Sequence, residues 1–346
     1  MKAVVFRGKE DLRVEEVPEP KILEQTDIIV KVTLSTICGS DLHILHGLWP
    51  GPPLPPLKPG SILGHEFVGE VKEVGKEVKN LKVGDKVTTS LLFCGTCAYC
   101  RDKKYPLCEN LMLAGAGELP GAQAEYLRLP RADVCVWKLP KELPDEDVLF
   151  VSDNLSTGYF AAECGQIHPG DTVAVFGCGP VGLCALICAK LFGPTKIIAV
   201  DKIGYRLKVA EEKGAIPINA GDKDPVAEIK RLTNGRGADV VIEAVGVKDT
   251  VLHCFGAVKK GGNLSWVGVA TSAIEIPWHE LIYTNITIRG GWTFANRIPE
   301  LIKLIEAKKI DTKFLITHQL SLDRAVEGYE IFDKKMEDVL KVAIKP

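Results

Sequence analysis

The 346-residue sequence has no excess of either charge, no apolar N-terminal run, no internal repeat and no low-complexity tail. A formal net charge of −2 gives no reason to expect nucleic acid or an anionic membrane surface as a partner. The N-terminus lacks the apolar core and cleavage site of a signal peptide, so we expect a cytoplasmic protein whose thiols stay reduced. In such a protein, eleven cysteines indicate metal binding or catalysis before disulfides.

A long hydrophobic run that could cross a membrane is also missing. The charge-free stretch from Val173 to Ala189 is shorter than a typical membrane span and contains several glycines and a proline. It predicts a buried strand, a tight turn and a buried helix, and we expect no membrane partner.

The pattern of predicted secondary structure changes near Gly158. The first 150 or so residues predict short β-branched strands at Ile28 to Leu34, Phe67 to Val74 and Lys86 to Thr89. After Gly158, predicted strands alternate with helices, which implies a parallel, doubly wound α/β sheet. The predicted strands are Thr172 to Phe176, Lys196 to Val200, Asp239 to Glu243, Leu264 to Val269 and Val339 to Ile344. The predicted helices are Val181 to Phe192, Tyr205 to Lys213, Pro299 to Lys308 and Leu322 to Lys334.

The segment from Pro50 to Gly60 is rich in proline and can form neither a helix nor a central strand. It is either a stiff surface loop or a rigid wall over an active site.

A glycine-rich turn indicates a dinucleotide site. Gly177, Gly179 and Gly182 fit the pattern G-x-G-x-x-G directly after a predicted strand and at the start of a predicted helix. Gly177 permits the tight turn, Gly179 lets the backbone approach a pyrophosphate, and Gly182 allows close packing of helix on sheet. The helix start offers free N–H groups to phosphates. Asp201 ends the next strand, where it can bind the adenosine ribose hydroxyls.

Four cysteines close in sequence indicate a structural metal site. Cys94, Cys97, Cys100 and Cys108 can wrap one tetrahedral ion, and zinc is the expected ion under reducing conditions. Four thiolates leave no open position, so this zinc should fix a loop rather than perform chemistry. An iron–sulfur cluster and two local disulfides are the alternatives.

A second, mixed set of possible ligands lies on either side of the proline-rich segment. Cys38 and His65 stand about 25 residues apart and offer a thiolate and an imidazole, and Glu66 follows with a carboxylate. Asp153 adds another possible oxygen ligand. The alternative for a lone histidine near a strand is a structural role.

The sequence resembles the zinc-containing medium-chain alcohol dehydrogenases over nearly its whole length. The shared motifs occur in the same order: Cys38 with Ser40 and His43, Gly64-His65-Glu66, the four cysteines, Ser156-Thr157-Gly158-Tyr159 and the glycine turn. The resemblance implies a catalytic domain in two parts, residues 1–157 and 291–346, with a Rossmann domain of residues 158–290 inserted between them. The carboxylate at Asp153 resembles the secondary-alcohol and glutathione-independent formaldehyde dehydrogenase branches.

The resemblance also implies roles for individual residues. Cys38, His65 and Asp153 bind the catalytic zinc, with Glu66 as an alternating fourth ligand or a neighbour of the ligands. Asp41 orients His65. Ser40 hydrogen-bonds the substrate oxygen, and His43 passes the proton onward. The implied cofactor-binding residues are Thr157, Gly177, Gly179, Pro180, Val181, Gly182, Asp201 and Arg206.

These roles predict an enzyme with two zinc ions per chain that transfers hydride reversibly between an alcohol and NAD. The alternatives are a formaldehyde or other aldehyde dehydrogenase, a dismutase, a polyol dehydrogenase, and a non-catalytic nucleotide sensor. The resemblance places Ser90 near the substrate, and Leu48, Trp49 and Trp292 are further candidates for the pocket. The chain lacks the extra loop typical of the dimeric animal and plant enzymes, which favours a homotetramer.

Overall fold

The computed structural model describes residues 1–48, 57–291 and 297–346, which divide into two compact units. The first unit comprises Met1–Ser156 and Phe294–Pro346, and the second comprises Thr157–Thr293. The hypotheses for Trp49, Trp292 and most of the proline-rich segment lie outside the described residues. Within the described ranges, no helix has the length and apolar character needed to cross a membrane.

The first unit is built mainly on antiparallel sheet. Its strands are β1 (Lys2–Gly8), β2 (Asp11–Glu16), β3 (Ile28–Thr36), β4 (Ser61–Ile62), β5 (Phe67–Val74), β6 (Lys86–Thr89), β7 (Tyr126–Leu129), β8 (Val136–Lys138), β15 (Ile316–Ser321) and β16 (Lys341–Lys345). A small sheet has the strand order β2-β1-β4. The larger sheet has the order β15-β16-β3-β5-β6-β8, with β7 also paired to β3.

The helices of this unit are mostly short. They are α1 (Gly39–Leu45), α2 (Ala98–Arg101), α3 (Ala132–Cys135), α4 (Asp145–Val148), α11 (Ile298–Glu306) and α12 (Ala325–Asp333), and α5 (Asn154–Gly165) begins in this unit. One apolar core joins Ile37 and Leu63 to Tyr329 of α12 and Val342 of β16. Ile37 directly precedes the predicted ligand Cys38 and Leu63 lies two residues before His65, so this core anchors the backbone that carries both ligands.

The second unit is a parallel sheet with helices between its strands. The strands are β9 (Thr172–Phe176), β10 (Lys196–Asp201), β11 (Ile216–Asn219), β12 (Ala238–Glu243), β13 (Val258–Trp266) and β14 (Thr287–Gly290). The helices are α6 (Pro180–Ala189), α7 (Gly204–Glu212), α8 (Pro225–Leu232), α9 (Lys248–Ala257) and α10 (Trp278–Leu281). The strand order β11-β10-β9-β12-β13-β14 is that of a doubly wound dinucleotide-binding sheet. The predicted fold class is therefore confirmed.

Two predicted strands are wrong at both ends. The last strand, predicted at Val339 to Ile344, is β16 at Lys341–Lys345. Leu264 to Val269 was expected, whereas β13 runs from Val258 to Trp266. Val258 pairs with Ala238 and Asn263 pairs with Val240, so the polar residues from Lys259 to Gly262 bulge out of the ladder between these two pairs. After Trp266, the backbone N–H groups of Val267 and Gly268 turn to the carbonyl of Glu243, and the ladder ends there.

Candidate active site and metal centres

Cys38, His65 and Asp153 converge where the neighbouring strands β3 and β5 of the larger sheet end and begin. In the antiparallel pair of β3 and β5, Ser35 lies opposite Phe67. The sequence after β3 and the sequence before β5 therefore meet, which places Cys38 beside His65. Asp153 joins them from the short turn that ends just before α5.

The three side chains present their ligand atoms to a common point. The Cys38 Sγ atom lies 3.2 Å from Asp153 Oδ2, and His65 Nε2 lies 3.4 Å from the same oxygen. All three ligand atoms lie within 4.8 Å of one another. Tetrahedral zinc with bonds of about 2.0 to 2.3 Å needs its ligands roughly 3.3 to 3.5 Å apart. The residues therefore fit zinc, and three protein ligands leave a fourth position for substrate.

Charges around the three ligands favour the ionised carboxylate and a charged imidazole in the metal-free protein. Burial opposes ionisation of Asp153, but the contacts with His65 outweigh it and lower the pKa of Asp153 to about 2. Burial also opposes a charged His65, but the carboxylates of Asp41 and Asp153 raise the pKa of His65 well above its usual value. The same attraction would favour a divalent cation between these groups.

Glu66 lies outside this group of ligand atoms. Its Oε2 accepts a hydrogen bond of 2.6 Å from Lys341 Nζ, and its Oε1 accepts bonds from Asn154 Nδ2 at 2.9 Å and the Asn154 backbone N–H at 3.2 Å. Both oxygens of Glu66 are thus already engaged by Lys341 and Asn154. Of the two roles implied by the resemblance, this geometry favours the neighbour over the fourth ligand.

Lys341 and Asn154 are residues that the sequence analysis missed. The Lys341 side chain is 1% exposed, and Nζ also donates to the carbonyl of Ile37 at 2.8 Å. Its signal is visible in the sequence, because a lone lysine among Val339, Leu340 and Val342 predicts a buried charge that needs a partner.

Ser40 lies beside the ligand group and His43 one helical turn further on. Ser40 Oγ is 3.3 Å from His65 Nε2. His43 is half-buried, and its Nδ1 has no hydrogen-bond partner among the described residues. Burial and the nearby His46 lower the pKa of His43. Of the two described pocket candidates, Ser90 is buried, whereas Leu48 is exposed.

The four cysteines form a separate group. The ligand atoms of Cys94, Cys97, Cys100 and Cys108 all lie within 4.8 Å of one another. No disulfide joins them, and Cys94 Sγ and Cys100 Sγ are 3.9 Å apart. Backbone N–H groups point at the sulfurs, and those of Thr96 and Cys97 lower the pKa of Cys94 to about 5. Burial raises the pKa values of Cys100 and Cys108, so a bound cation would be needed to hold all four sulfurs as thiolates. Four sulfur atoms grouped in this way fit a tetrahedral zinc ion with no open position.

The glycine turn of the second unit has the geometry that the pattern predicts. Gly177 has a φ of +92°, and a Cβ on Gly182 would lie 1.7 Å from the carbonyl oxygen of Gly177. Both positions therefore require glycine. Gly179 and the first residues of α6, Pro180 and Val181, are half-exposed between buried neighbours. The start of the helix is thus accessible to a ligand phosphate.

Asp201 is held against this turn. Its Oδ2 accepts a hydrogen bond of 2.7 Å from the Cys178 backbone N–H, and its Oδ1 accepts those of Lys202 at 2.7 Å and Ile203 at 2.9 Å. Arg206 Nη1 lies 3.6 Å from the position of a Cβ on Gly179. Thr157 is the first residue of the same unit. A fixed anionic side chain and a cation thus flank the turn.

Two family models match the chain. The alcohol dehydrogenase GroES-like domain matches residues 24–141, and the zinc-binding dehydrogenase domain matches residues 180–307. The first model spans the Cys38, His65 and four-cysteine sites, and the second begins within the glycine turn. The protein is therefore an oxidoreductase of the zinc-binding dehydrogenase class.

Full-length relatives define the family. The chain is 36% identical to the uncharacterised zinc-type alcohol dehydrogenase-like protein AdhB of Bacillus subtilis, and the match covers 100% of both chains. The solved alcohol dehydrogenase TADH from Thermus sp. ATN1 is 41% identical with a TM-score of 0.93, covering 100% of this chain and 99% of that one. The chain belongs to the zinc-type medium-chain alcohol dehydrogenase family.

Other relatives differ in substrate and in the bound nucleotide. A sorbitol dehydrogenase of Bacillus subtilis is 34% identical, with 100% of this chain and 97% of that protein covered. A zinc-binding dehydrogenase from Sinorhizobium meliloti 1021, solved with NADP bound, is 29% identical with a TM-score of 0.88, covering 100% and 99% of the two chains. Family membership therefore leaves substrate and cofactor choice open.

Proposed function

We propose that this enzyme oxidises a small alcohol to an aldehyde or ketone with NAD, reversibly, with one zinc ion held by Cys38, His65 and Asp153. The observation that carries the proposal is the spacing of the three ligand atoms, all within 4.8 Å of one another, while the oxygens of Glu66 are bound by Asn154 and Lys341. A second zinc ion would be held by Cys94, Cys97, Cys100 and Cys108 in a structural role.

The chemistry then divides between the metal and the protein side chains. Zinc supplies a Lewis acid that makes a hydroxyl proton easier to remove. Ser40 Oγ, 3.3 Å from His65 Nε2, lies where it can accept that proton while releasing its own. The lowered pKa of His43 keeps its ring neutral at pH 7, so His43 can accept the proton next.

A substrate panel tests this function. The zinc-loaded protein should reduce NAD with at least one primary or secondary alcohol, followed by NADH absorbance. Faster turnover of polyols such as sorbitol would move the assignment to a polyol dehydrogenase. Turnover of formaldehyde without added NAD would support a dismutase. No turnover of any of these by a protein that contains two zinc ions and binds NAD would contradict the proposal and favour a nucleotide sensor.

The proposed cofactor preference rests on Asp201. Backbone N–H groups occupy three of the roughly four acceptor positions of its carboxylate, which fixes the negative charge beside the glycine turn. The remaining acceptor position can bind a ribose hydroxyl of NAD, and the fixed charge repels the 2′-phosphate of NADP. Lys202 and Arg206 attract that phosphate, but they are flexible cations next to a fixed anion.

We therefore expect higher kcat/KM with NAD than with NADP. A like-charge contact of about 2–3 kcal/mol corresponds to roughly 30- to 150-fold. Asp201→Gly should lower the ratio of kcat/KM with NAD to kcat/KM with NADP. Asp311→Gly, which removes an exposed carboxylate in the other unit, should leave that ratio unchanged. Equal efficiency of the wild type with both cofactors would show that the two cations outweigh Asp201.

A further inference from the structure

A buried chain of hydrogen bonds leads from α12 to Asp41, whose second carboxylate oxygen lies near His65. Tyr329 Oη donates to Gln123 Oε1 at 2.7 Å, and Gln123 Nε2 donates to Asp41 Oδ2 at 3.2 Å. Asp41 Oδ1 lies 3.5 Å from His65 Nδ1. Asp41 and Gln123 are fully buried, and Tyr329 is 2% exposed. Water does not compete for these groups, so the protein alone sets their orientation.

Each bond in this chain has one possible direction. Asp41 Oδ2 also accepts the Cys38 backbone N–H at 2.9 Å, and Gln123 Nε2 also donates to the Thr36 carbonyl at 3.2 Å. A carboxylate and a carbonyl can only accept, so both require the NH2 group of Gln123. The Gln123 oxygen must then face Tyr329, whose hydroxyl must donate. Burial and the nearby Asp41 raise the pKa of Tyr329 well above its usual value, which keeps that hydroxyl protonated.

The fixed direction of these hydrogen bonds also determines which ring nitrogen of His65 carries the proton. With Asp41 held as an acceptor, the proton of a neutral His65 belongs on Nδ1, facing Asp41. Nε2 is then left with its lone pair on the side of Cys38 and Asp153, which is the tautomer that a metal ligand needs. The backbone also brings Gln123 close: a Cβ on Gly64, which has a φ of +96°, would lie 2.6 Å from Gln123 Cγ.

We propose that Gln123 and Tyr329 are positioning residues that act through Asp41 to fix the orientation and tautomer of His65 for zinc binding. The inference rests on the proposed function, because it takes Cys38, His65 and Asp153 as the ligands of the catalytic zinc. It adds two residues from distant parts of the sequence, 206 positions apart, to the support of that zinc.

Competition with a chromophoric chelator tests the inference, because it measures zinc affinity without any assay of turnover. Gln123→Leu should lower the zinc affinity of the site at Cys38, His65 and Asp153 by about tenfold. This is the lower end of the range for residues that support metal ligands. Tyr329→Phe removes a single hydroxyl and should lower that affinity by about threefold. The four-cysteine zinc is an internal control and should keep its affinity. Tyr126→Phe, the same change on β7, should have no effect.

A double-mutant cycle separates positioning from general loosening of the core. If Gln123 acts through Asp41, adding Gln123→Leu to Asp41→Ala should change zinc affinity by less than about twofold. A full tenfold loss in that background, or wild-type affinity in both single variants, would overturn the inference. If Gln123→Leu does not fold, the zinc affinity of Tyr329→Phe alone tests the inference. A wild-type protein with only one class of zinc would contradict the proposed function itself, and this inference with it.

Discussion

Replacing Cys38 with alanine should lower kcat by about a thousandfold or more, since a catalytic zinc supplies several kcal/mol of stabilisation and each 1.36 kcal/mol is worth tenfold. The variant leaves His65 and Asp153 as the two remaining ligands of an ion that prefers at least three from the protein. The fold should survive, because the Cys38 side chain is half-buried and does not belong to the apolar core that contains Ile37 and Leu63. Elemental analysis should find that the variant has lost one zinc ion relative to the wild type.

Two further cysteine variants make the result specific. Cys164→Ala removes a half-buried thiol of α5 that belongs to neither ligand group, and it should change neither zinc content nor kcat. Cys97→Ala should instead lower the thermal midpoint, because a structural zinc contributes folding free energy. Full activity in Cys38→Ala would contradict the assignment of Cys38 to the catalytic site. Loss of thermal stability in Cys38→Ala and loss of activity in Cys97→Ala would show that the roles of the two zinc sites are exchanged.

Local patterns were sufficient to predict the elements that build both sites. Phe67–Val74 and Thr172–Phe176 are strands with the predicted bounds, because their β-branched residues are buried where short apolar runs predict burial. The glycine turn was also readable, because the spacing of Gly177 and Gly182 reflects steric limits within one short segment.

Contacts between distant segments were not readable from these patterns. Lys341 reaches Glu66 because β16 pairs with β3, with Ala343 opposite Thr36, and no local pattern sets that register. Gln123 lies in an irregular segment before β7, and Tyr329 in an amphipathic helix where a buried aromatic residue is ordinary core. The partners of such residues become visible only when the fold brings their polar atoms together.

Replacing Lys341 with methionine should destabilise the first unit by about 3–5 kcal/mol, the cost of leaving one partner of a buried ion pair alone. The side chains of Lys341 and Glu66 are 1% and 0% exposed, and their Nζ–Oε2 distance is 2.6 Å. Methionine has a similar volume, so the loss should come from charge rather than from a cavity. Hydrogen exchange of the β5 amides in the zinc-loaded protein measures the free energy of opening this unit.

A surface pair with the same geometry is the matched control. Lys334 and Glu330 are also 2.6 Å apart, but their side chains are 62% and 58% exposed. Lys334→Met should therefore cost only about 0–1 kcal/mol. Adding Glu66→Gln to Lys341→Met removes the stranded charge and should recover most of the lost stability. If the double variant stays as unstable as Lys341→Met, the loss arises from packing and the electrostatic account is wrong.

The stability loss of Lys341→Met should depend on pH, because it arises from the charge of Glu66. Burial raises the pKa of Glu66, and in the wild type Lys341 opposes that rise. Without Lys341, the folded-state pKa of Glu66 lies still further above its unfolded value of about 4.3. A raised folded pKa gives stability that is present below the unfolded pKa and is lost as the pH rises through the folded one. The stability lost in Lys341→Met relative to wild type should therefore be small near pH 4 and grow toward pH 8. A loss of stability that is independent of pH would mean that Glu66 does not carry the charge.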